Sequence, residues 1–217
     1  MLSACIIAKN EEENIAAAIE NLQGFVDEIV VMDNDSADET TEIVRKYKEV
    51  RLFSSDIKNN FGALRNAIID VAKGDWLFMA DADERCSEKM RQSLKKITEG
   101  DYDGVSFLCK NYCDGKLVQT SRKLSLFKNY GRYRNAVHES VDGLKEIVFV
   151  GDEDVYTDHK KSREEQKKHL ELYKKIIDDN IALAKTDNDL EKLAYYEEEL
   201  RRHYIKEQMW LNKYIEV

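Results

Sequence analysis

The sequence predicts an α/β fold, a doubly wound and mainly parallel sheet followed by a C-terminal helical extension. Short apolar runs alternate with amphipathic stretches over residues 1–99. The runs are apolar throughout rather than every second residue, as in strands covered on both faces. Three of them end in polar clusters: Lys9-Asn10-Glu11, Asp33-Asn34-Asp35 and Asp81-Ala82-Asp83. In open parallel sheets ligands bind beyond the carboxyl ends of the strands, so these clusters point to one site.

The first strand is expected at 2–8 and the first helix at 11–22, where Ile15, Ala18, Ile19 and Leu22 recur at helical spacing. Residues 28–32 (Glu-Ile-Val-Val-Met) form the second strand. Ser36 or Asp38 is the expected cap of a helix through Ile43, Val44 and Tyr47. A third strand at 50–53, a helix at 62–72, a fourth strand at 75–80 and a helix at 87–97 follow. From 101 to 159 the pattern turns to β, with a strand at 103–113, a turn at Asp114-Gly115, and strands at 123–127 and 147–150. Beyond Ser162 the chain reads as helix. Leu170, Tyr173, Ile177, Ile181 and Ala184 make one apolar stripe, and Leu193, Leu200, Tyr204, Leu211 and Tyr214 a second after a break at 186–189. Residues 1–160 are therefore read as the sheet domain and 161–217 as a helical hairpin. Packing against the sheet layer is its plainest role; self-association or partner binding is the alternative.

Composition narrows the function classes. The 217 residues carry a net charge of −9, which repels polyanions and excludes nucleic acid as a ready partner. No run reaches the length of an apolar membrane span, and the N-terminus lacks the basic region of a signal peptide. The four cysteines show no disulfide framework and fit reduced thiols in the cytoplasm. Cys109 and Cys113 sit four apart in an expected strand, a span of about 13 Å, too far to share one ion.

Asp81 and Asp83 carry the chemistry. In extended backbone residues i and i+2 point to one side, so both carboxylates are expected to address one hard cation, Mg2+ or Mn2+, that keeps positions open for phosphate oxygens. A loop favourable to the following helix dipole is the competing explanation. Asp33-Asn34-Asp35-Ser36 is not an EF-hand, because Ala37, Asp38 and Val44 stand where that pattern needs an oxygen ligand, glycine and glutamate. Neither G-x-G-x-x-G nor a Walker-type loop follows the first strand, which removes dinucleotide and P-loop readings.

Four segments in order carry a resemblance. They are 6–12 (Ile-Ile-Ala-Lys-Asn-Glu-Glu), 27–40 around Asp33-Asn34-Asp35-Ser36, 60–66 (Asn-Phe-Gly-Ala-Leu-Arg-Asn), and 74–84 ending Asp81-Ala82-Asp83-Glu84. Together they resemble the family 2 glycosyltransferases. Leu126-Phe127-Lys128-Asn129, Arg132-Tyr133 and Val137-His138-Glu139 resemble the branch with lipopolysaccharide-core glucosyltransferases and peptide S-glycosyltransferases. Asp35 departs from the glycine usual at that place. The resemblance implies a GT-A fold, a nucleoside-diphosphate donor (most often a UDP-sugar), a divalent cation and inversion at the anomeric carbon. It implies that Ala8, Asn10 and Glu11 border the nucleotide, that Asp33 and Asn34 lie near base and ribose, and that Arg65 faces the nucleotide or its phosphates. Asp83 would ligate the metal, Asp81 would face ribose or metal, and His159 would complete the metal or diphosphate site. Glu139 is the expected general base; the competing reading makes Glu139 an ion-pair partner of Arg132 or Arg134 while His138 or an aspartate takes the proton. The acceptor is a glycan, a lipid-linked glycan or a peptide. A sugar-phosphate nucleotidyltransferase and a noncatalytic interaction module are the other readings. The loop Lys9-Asn10-Glu11-Glu12-Glu13 is too acidic for the triphosphate that the first of these binds.

Overall fold

The computed structural model describes residues 1–215, with the side chains of 208 and 210–215 outside the described set. Leu211 and Tyr214 of the expected second stripe therefore lie outside the described side chains. Eleven strands and six helices are described: β1 (Leu2–Ala8), α1 (Ile15–Leu22), β2 (Glu28–Asp33), α2 (Thr40–Val44), β3 (Val50–Ser54), α3 (Phe61–Val71), β4 (Trp76–Asp81), β5 (Glu84–Cys86), α4 (Glu88–Ile97), β6 (Gly104–Cys113), β7 (Lys116–Lys128), β8 (Arg132–Arg134), β9 (Ser140–Asp142), β10 (Ile147–Phe149), β11 (Tyr156–Lys161), α5 (Arg163–Thr186) and α6 (Leu190–Ile215).

The main sheet runs β3-β2-β1-β4-β7-β6-β11-β5, with β10 also paired to β6. Strands β3, β2, β1 and β4 are mutually parallel. Their order reverses direction at β1, the switch point at which such sheets open a crevice. Strand β7 pairs antiparallel with both β4 and β6. One apolar cluster with Ile15, Ile19 and Phe78 covers one face of the sheet, and a second with Leu64, Ile68 and Phe127 covers the other. This two-sided burial is why β1, β2 and β4 read as unbroken apolar runs.

Three differences from the sequence reading matter. Helix α1 begins at Ile15, four residues later than expected, because the N–H groups of Asn10, Glu11 and Glu12 bond to Ser36 Oγ, Thr40 Oγ1 and Asp38 Oδ2 across the β1 and β2 loops. Those bonds also divert Ser36 from the capping role, and α2 shrinks to five residues with no side-chain cap from its N-cap residue Glu39. Strand β7 runs thirteen residues rather than five, and the short strands β5, β8 and β9 were not expected. Strand β11 ends at Lys161, one residue past the expected domain limit, and Ser162 caps α5 with a reciprocal box to Glu165.

Candidate active site

The carboxyl ends of β1, β2 and β4 face the tip of β11 and the first turns of α5 around a cleft of about 530 Å³. Its walls include Lys9 to Asn14 from the β1 loop, Asp38, Asp83, and Lys161, Glu165, Lys168, His169 and Leu172. Six of these side chains are carboxylates and three are lysines, so the cleft is acidic.

Strand β4 ends at Asp81, and the chain turns at Ala82-Asp83 instead of continuing extended. The expected geometry, two carboxylates on one side of a strand, is thus corrected. Asp81 faces inward between Arg65 (Nη2 to Oδ1, 2.8 Å) and Lys123 (Nζ to Oδ2, 2.8 Å). Burial alone would raise its carboxyl; the two cations outweigh it and hold it well below the usual range. Arg65 also reaches Glu139 Oε1 from Nε at 3.3 Å, and Lys123 reaches Glu84 Oε1 at 2.6 Å. The result is a chain of alternating sign, Glu139–Arg65–Asp81–Lys123–Glu84. Glu139 therefore pairs with Arg65 and not with Arg132 or Arg134, whose carboxylates are Asp70 and Asp142.

Asp83 turns toward the cleft. The unexpected strand β5 pairs with β11 so that Glu84 lies opposite His159, which brings Asp83 Oδ2 to 3.0 Å from His159 Nε2. Lys161 Nζ stands 3.5 Å from the same oxygen. The amide of Asn111 lets its Oδ1 accept from His159 Nδ1–H at 2.9 Å, which leaves Nε2 aimed at Asp83. Burial would lower the imidazole pKa, but the Asp83 carboxylate raises it, and the same pair holds Asp83 below its usual range against its own burial. A carboxylate oxygen and an imidazole nitrogen thus converge, joined by a proton that a divalent cation would replace. One carboxylate and one imidazole, completed by water or phosphate oxygens, would fit Mn2+ better than Mg2+, which prefers oxygen ligands throughout. A second group, Glu84, Cys109 and His159, also brings ligand atoms within 4.8 Å of one another. Lys123 already occupies Glu84 there, and burial pushes the Cys109 thiol up to about 11, so that corner fits a cation less well.

At the β1/β2 end, Ala8 C=O accepts from Asn34 N–H at 2.8 Å, and Asn34 Nδ2 donates to Ile57 C=O at 3.0 Å. Asp33 Oδ1 and Asn34 Oδ1 are buried with no hydrogen-bond partner. Two buried acceptors without partners at these strand ends suit a ligand that donates N–H or O–H groups. Asn10 takes φ 55, and its Oδ1 accepts from Ala37 N–H, which fixes the rim of the crevice. Glu11 sits in the cleft wall, where burial raises its carboxyl to about 7.

The structure brings Arg65, Asp81 and Glu139 together, and Asp83 with His159. It separates His138 from its neighbour Glu139: the His138 ring packs 5.3 Å from the Tyr173 ring, with Nε2 3.5 Å from Glu199. Sequence reasoning missed Lys123, Asn111, Lys161, His169 and Tyr173. His169 Nδ1 lies 3.3 Å from Lys161 Nζ and its ring 4.3 Å from that of Tyr173, while burial and then Lys161 depress it to about 3. It is a neutral acceptor that orients Lys161. The Lys160-Lys161 pair directly after His159 was the one signal available for that residue.

Comparison with known proteins gives a consistent picture. Residues 3–149 match the family described as glycosyl transferase family 2. A prophage-derived glycosyltransferase SunS of Bacillus subtilis is 25% identical over 139 residues, which is 62% of this chain and 33% of that protein. An uncharacterized glycosyltransferase of Rickettsia felis is 29% identical over 164 residues, 69% of this chain and 57% of that one. The chain thus spans between a third and just over half of these relatives. The S. aureus protein TarS, residues 1–349 in complex with UDP-GlcNAc, superposes with a TM-score of 0.61 at 17% identity, over 81% of this chain and 64% of that chain. That likeness carries the GT-A fold.

Proposed function

This chain belongs to glycosyl transferase family 2, and from that premise we propose that it transfers a sugar, with inversion, from a UDP-sugar to an acceptor nucleophile. The acceptor is a glycan, a lipid-linked glycan or a peptide. The observation that carries the reading is the convergence of Asp83 and His159 at the rim of an acidic cleft. A diphosphate would be repelled there unless a divalent cation reversed the local sign. Asp83 and His159 would hold that cation, which when bound supplies charge to stabilise the leaving diphosphate. Two open acceptors, Asp33 Oδ1 and Asn34 Oδ1, suit the N–H of a uracil ring and a ribose hydroxyl. TarS, with which the fold is shared, was solved with UDP-GlcNAc, and this supports the same donor class.

In this reading Glu139 takes the acceptor proton as the nucleophile attacks the face opposite the diphosphate. Arg65 keeps that carboxylate aimed, while Asp81 and Lys123 fix Arg65 in turn. Lys161, held by His169, faces the diphosphate side beside Asp83. The four cysteines are free, buried thiols, which suits a reducing cytoplasm. No helix is long and apolar enough to cross a membrane among the described residues.

Calorimetric titration of UDP with and without Mn2+ tests the reading. Mn2+ should strengthen UDP binding to the native chain, and Asp83→Asn should weaken the metal-dependent binding by about 100-fold or more. Equal UDP affinity with and without metal would remove the metal assignment. Slow hydrolysis of a UDP-sugar by the native protein tests the donor class independently.

A further inference from the structure

The segment between β8 and β9 carries both His138 and Glu139, and its backbone is unusual. Asn135 and His138 take φ of 69 and 51, a left-handed conformation uncommon outside glycine, although asparagine and histidine adopt it more readily than most. Ala136 and Val137, between them, are almost fully buried. Burial obliges their backbone polar groups to find partners inside the protein. Ala136 C=O accepts from Phe61 N–H at 2.8 Å at the start of α3. The other two partners come from α6. Ala136 N–H donates to the hydroxyl of Tyr196 at 3.1 Å, and the hydroxyl of Tyr195 donates to Val137 C=O at 3.2 Å. These adjacent residues on one helix serve opposite roles, one acceptor and one donor.

We propose that Tyr195 and Tyr196 are positioning residues that hold the 135–139 segment so that Glu139 meets Arg65 at the site, which makes the C-terminal helices a working part of the catalytic centre. The chain of contact is short. Glu139 lies two residues beyond Val137, and its carboxylate is only 10% exposed where it meets Arg65. Asn66 fixes the near end of the segment through two bonds to the Tyr133 backbone, at 2.8 and 2.9 Å. The middle has α6. His138 packs against α5, its ring 5.3 Å from that of Tyr173. Apolar packing of Ala136 and Val137 against Ile176, Ile177 and Tyr196 excludes the water that would otherwise satisfy the two backbone groups. Removing the hydroxyls therefore leaves buried groups without partners, and the segment is freed to seek water.

The inference rests on the proposed transfer reaction, and it is tested by steady-state kinetics with a UDP-sugar beside UDP calorimetry. Tyr195→Phe/Tyr196→Phe deletes only the two hydroxyls and keeps both rings. We expect kcat to fall about tenfold, with donor KM and UDP–Mn2+ affinity within about twofold of the native values. Tyr196→Phe alone, the milder variant, should show a smaller fall of the same kind. An unchanged kcat in the double variant overturns the proposal. So does a parallel loss of kcat and UDP affinity, the mark of general unfolding. Glu139→Gln separates the two claims: full turnover in that variant removes Glu139 as the base, whereas the tyrosine variants report whether the segment must be held at all.

Discussion

The strand-end site and the seam beneath the C-terminal helices are built from opposite materials. The site is a run of buried and half-buried charges, Glu139–Arg65–Asp81–Lys123–Glu84, in which each member compensates its neighbours. The seam is an apolar and aromatic cluster, Ala136, Val137, Ile176, Ile177 and Tyr196, edged by Phe61, Tyr173 and Tyr195. Buried charges cost desolvation and are retained where their geometry is needed, whereas apolar contacts stabilise without fixing a charge in place. The contrast shows where this chain spends stability and where it gains it. It also explains a division within the carboxylate turn. Asp81 is locked by permanent cations. Asp83 faces a titratable imidazole and a lysine at the cleft, the arrangement that can exchange a proton for a metal ion.

The largest expected effect breaks the charge side. Asp81→Asn leaves Arg65 and Lys123 buried with one partner each, and removing one member of a buried pair is strongly destabilising. With 28% of its side chain exposed, Asp81 stands at the low end of that range, about 3 kcal/mol, measured by denaturant unfolding. A loss under about 0.5 kcal/mol would mean that Glu139 and Glu84 alone satisfy the two cations. The matching cut on the apolar side is Ile177→Ala. Ile177 is fully buried, and its truncation should cost about 2–3 kcal/mol while UDP binding is kept. If that variant lost UDP binding in proportion to stability, the seam and the site would be one unit and the comparison would fail.

How much of each region was legible in the sequence follows from the same contrast. The sheet was legible because β1, β2 and β4 bury both faces, and continuous apolar runs announce that. The α5 stripe was legible because Tyr173, Ile177 and Ala184 recur at helical spacing. Strand β5 was not, since Glu84-Arg85-Cys86 has no β pattern and forms only because β11 offers an edge. Without β5 the meeting of Asp83 with His159 cannot be foreseen. Nor can Lys123 be singled out, because a lysine in a polar strand looks solvated until the partner carboxylates are placed. The order of the four motif segments carried the family; their mutual geometry is a product of pairing between strands far apart in the chain.

Acid should separate the two regions. Burial holds His138, His169 and His203 below their ordinary value of 6.5, His169 at about 3. A histidine whose folded pKa is depressed binds fewer protons folded than unfolded. Its contribution is therefore intact above about pH 6.5 and erodes as pH falls from there toward the folded value. Asp81 has a carboxyl depressed below 3.8, so its contribution is intact above that value and is lost only under stronger acid. Hydrogen-exchange protection of α5 and α6 should thus weaken between pH 6.5 and 5, while that of β1 and β4 holds. Replacing His169 by glutamine should flatten the helical response. Equal loss in helices and strands across that range would show one cooperative unit instead.

The smallest effect sharpens the border between the regions. Ser162 ends the run that holds His159 and Lys161 and begins α5, through a capping box in which Ser162 Oγ accepts from Glu165 N–H at 3.2 Å and Glu165 Oε2 accepts from Ser162 N–H at 2.6 Å. Ser162→Ala removes one half of that exchange and should cost about 1 kcal/mol of stability. Lys161 stands one residue before the cap and reaches Asp83 from β11, not from the helix. If β11 alone fixes it, UDP–Mn2+ affinity in Ser162→Ala will match the native chain while the helices melt earlier. A loss of affinity would instead mean that the first turn of α5, through His169 and its contact with Lys161, sets the position of that lysine at the metal corner.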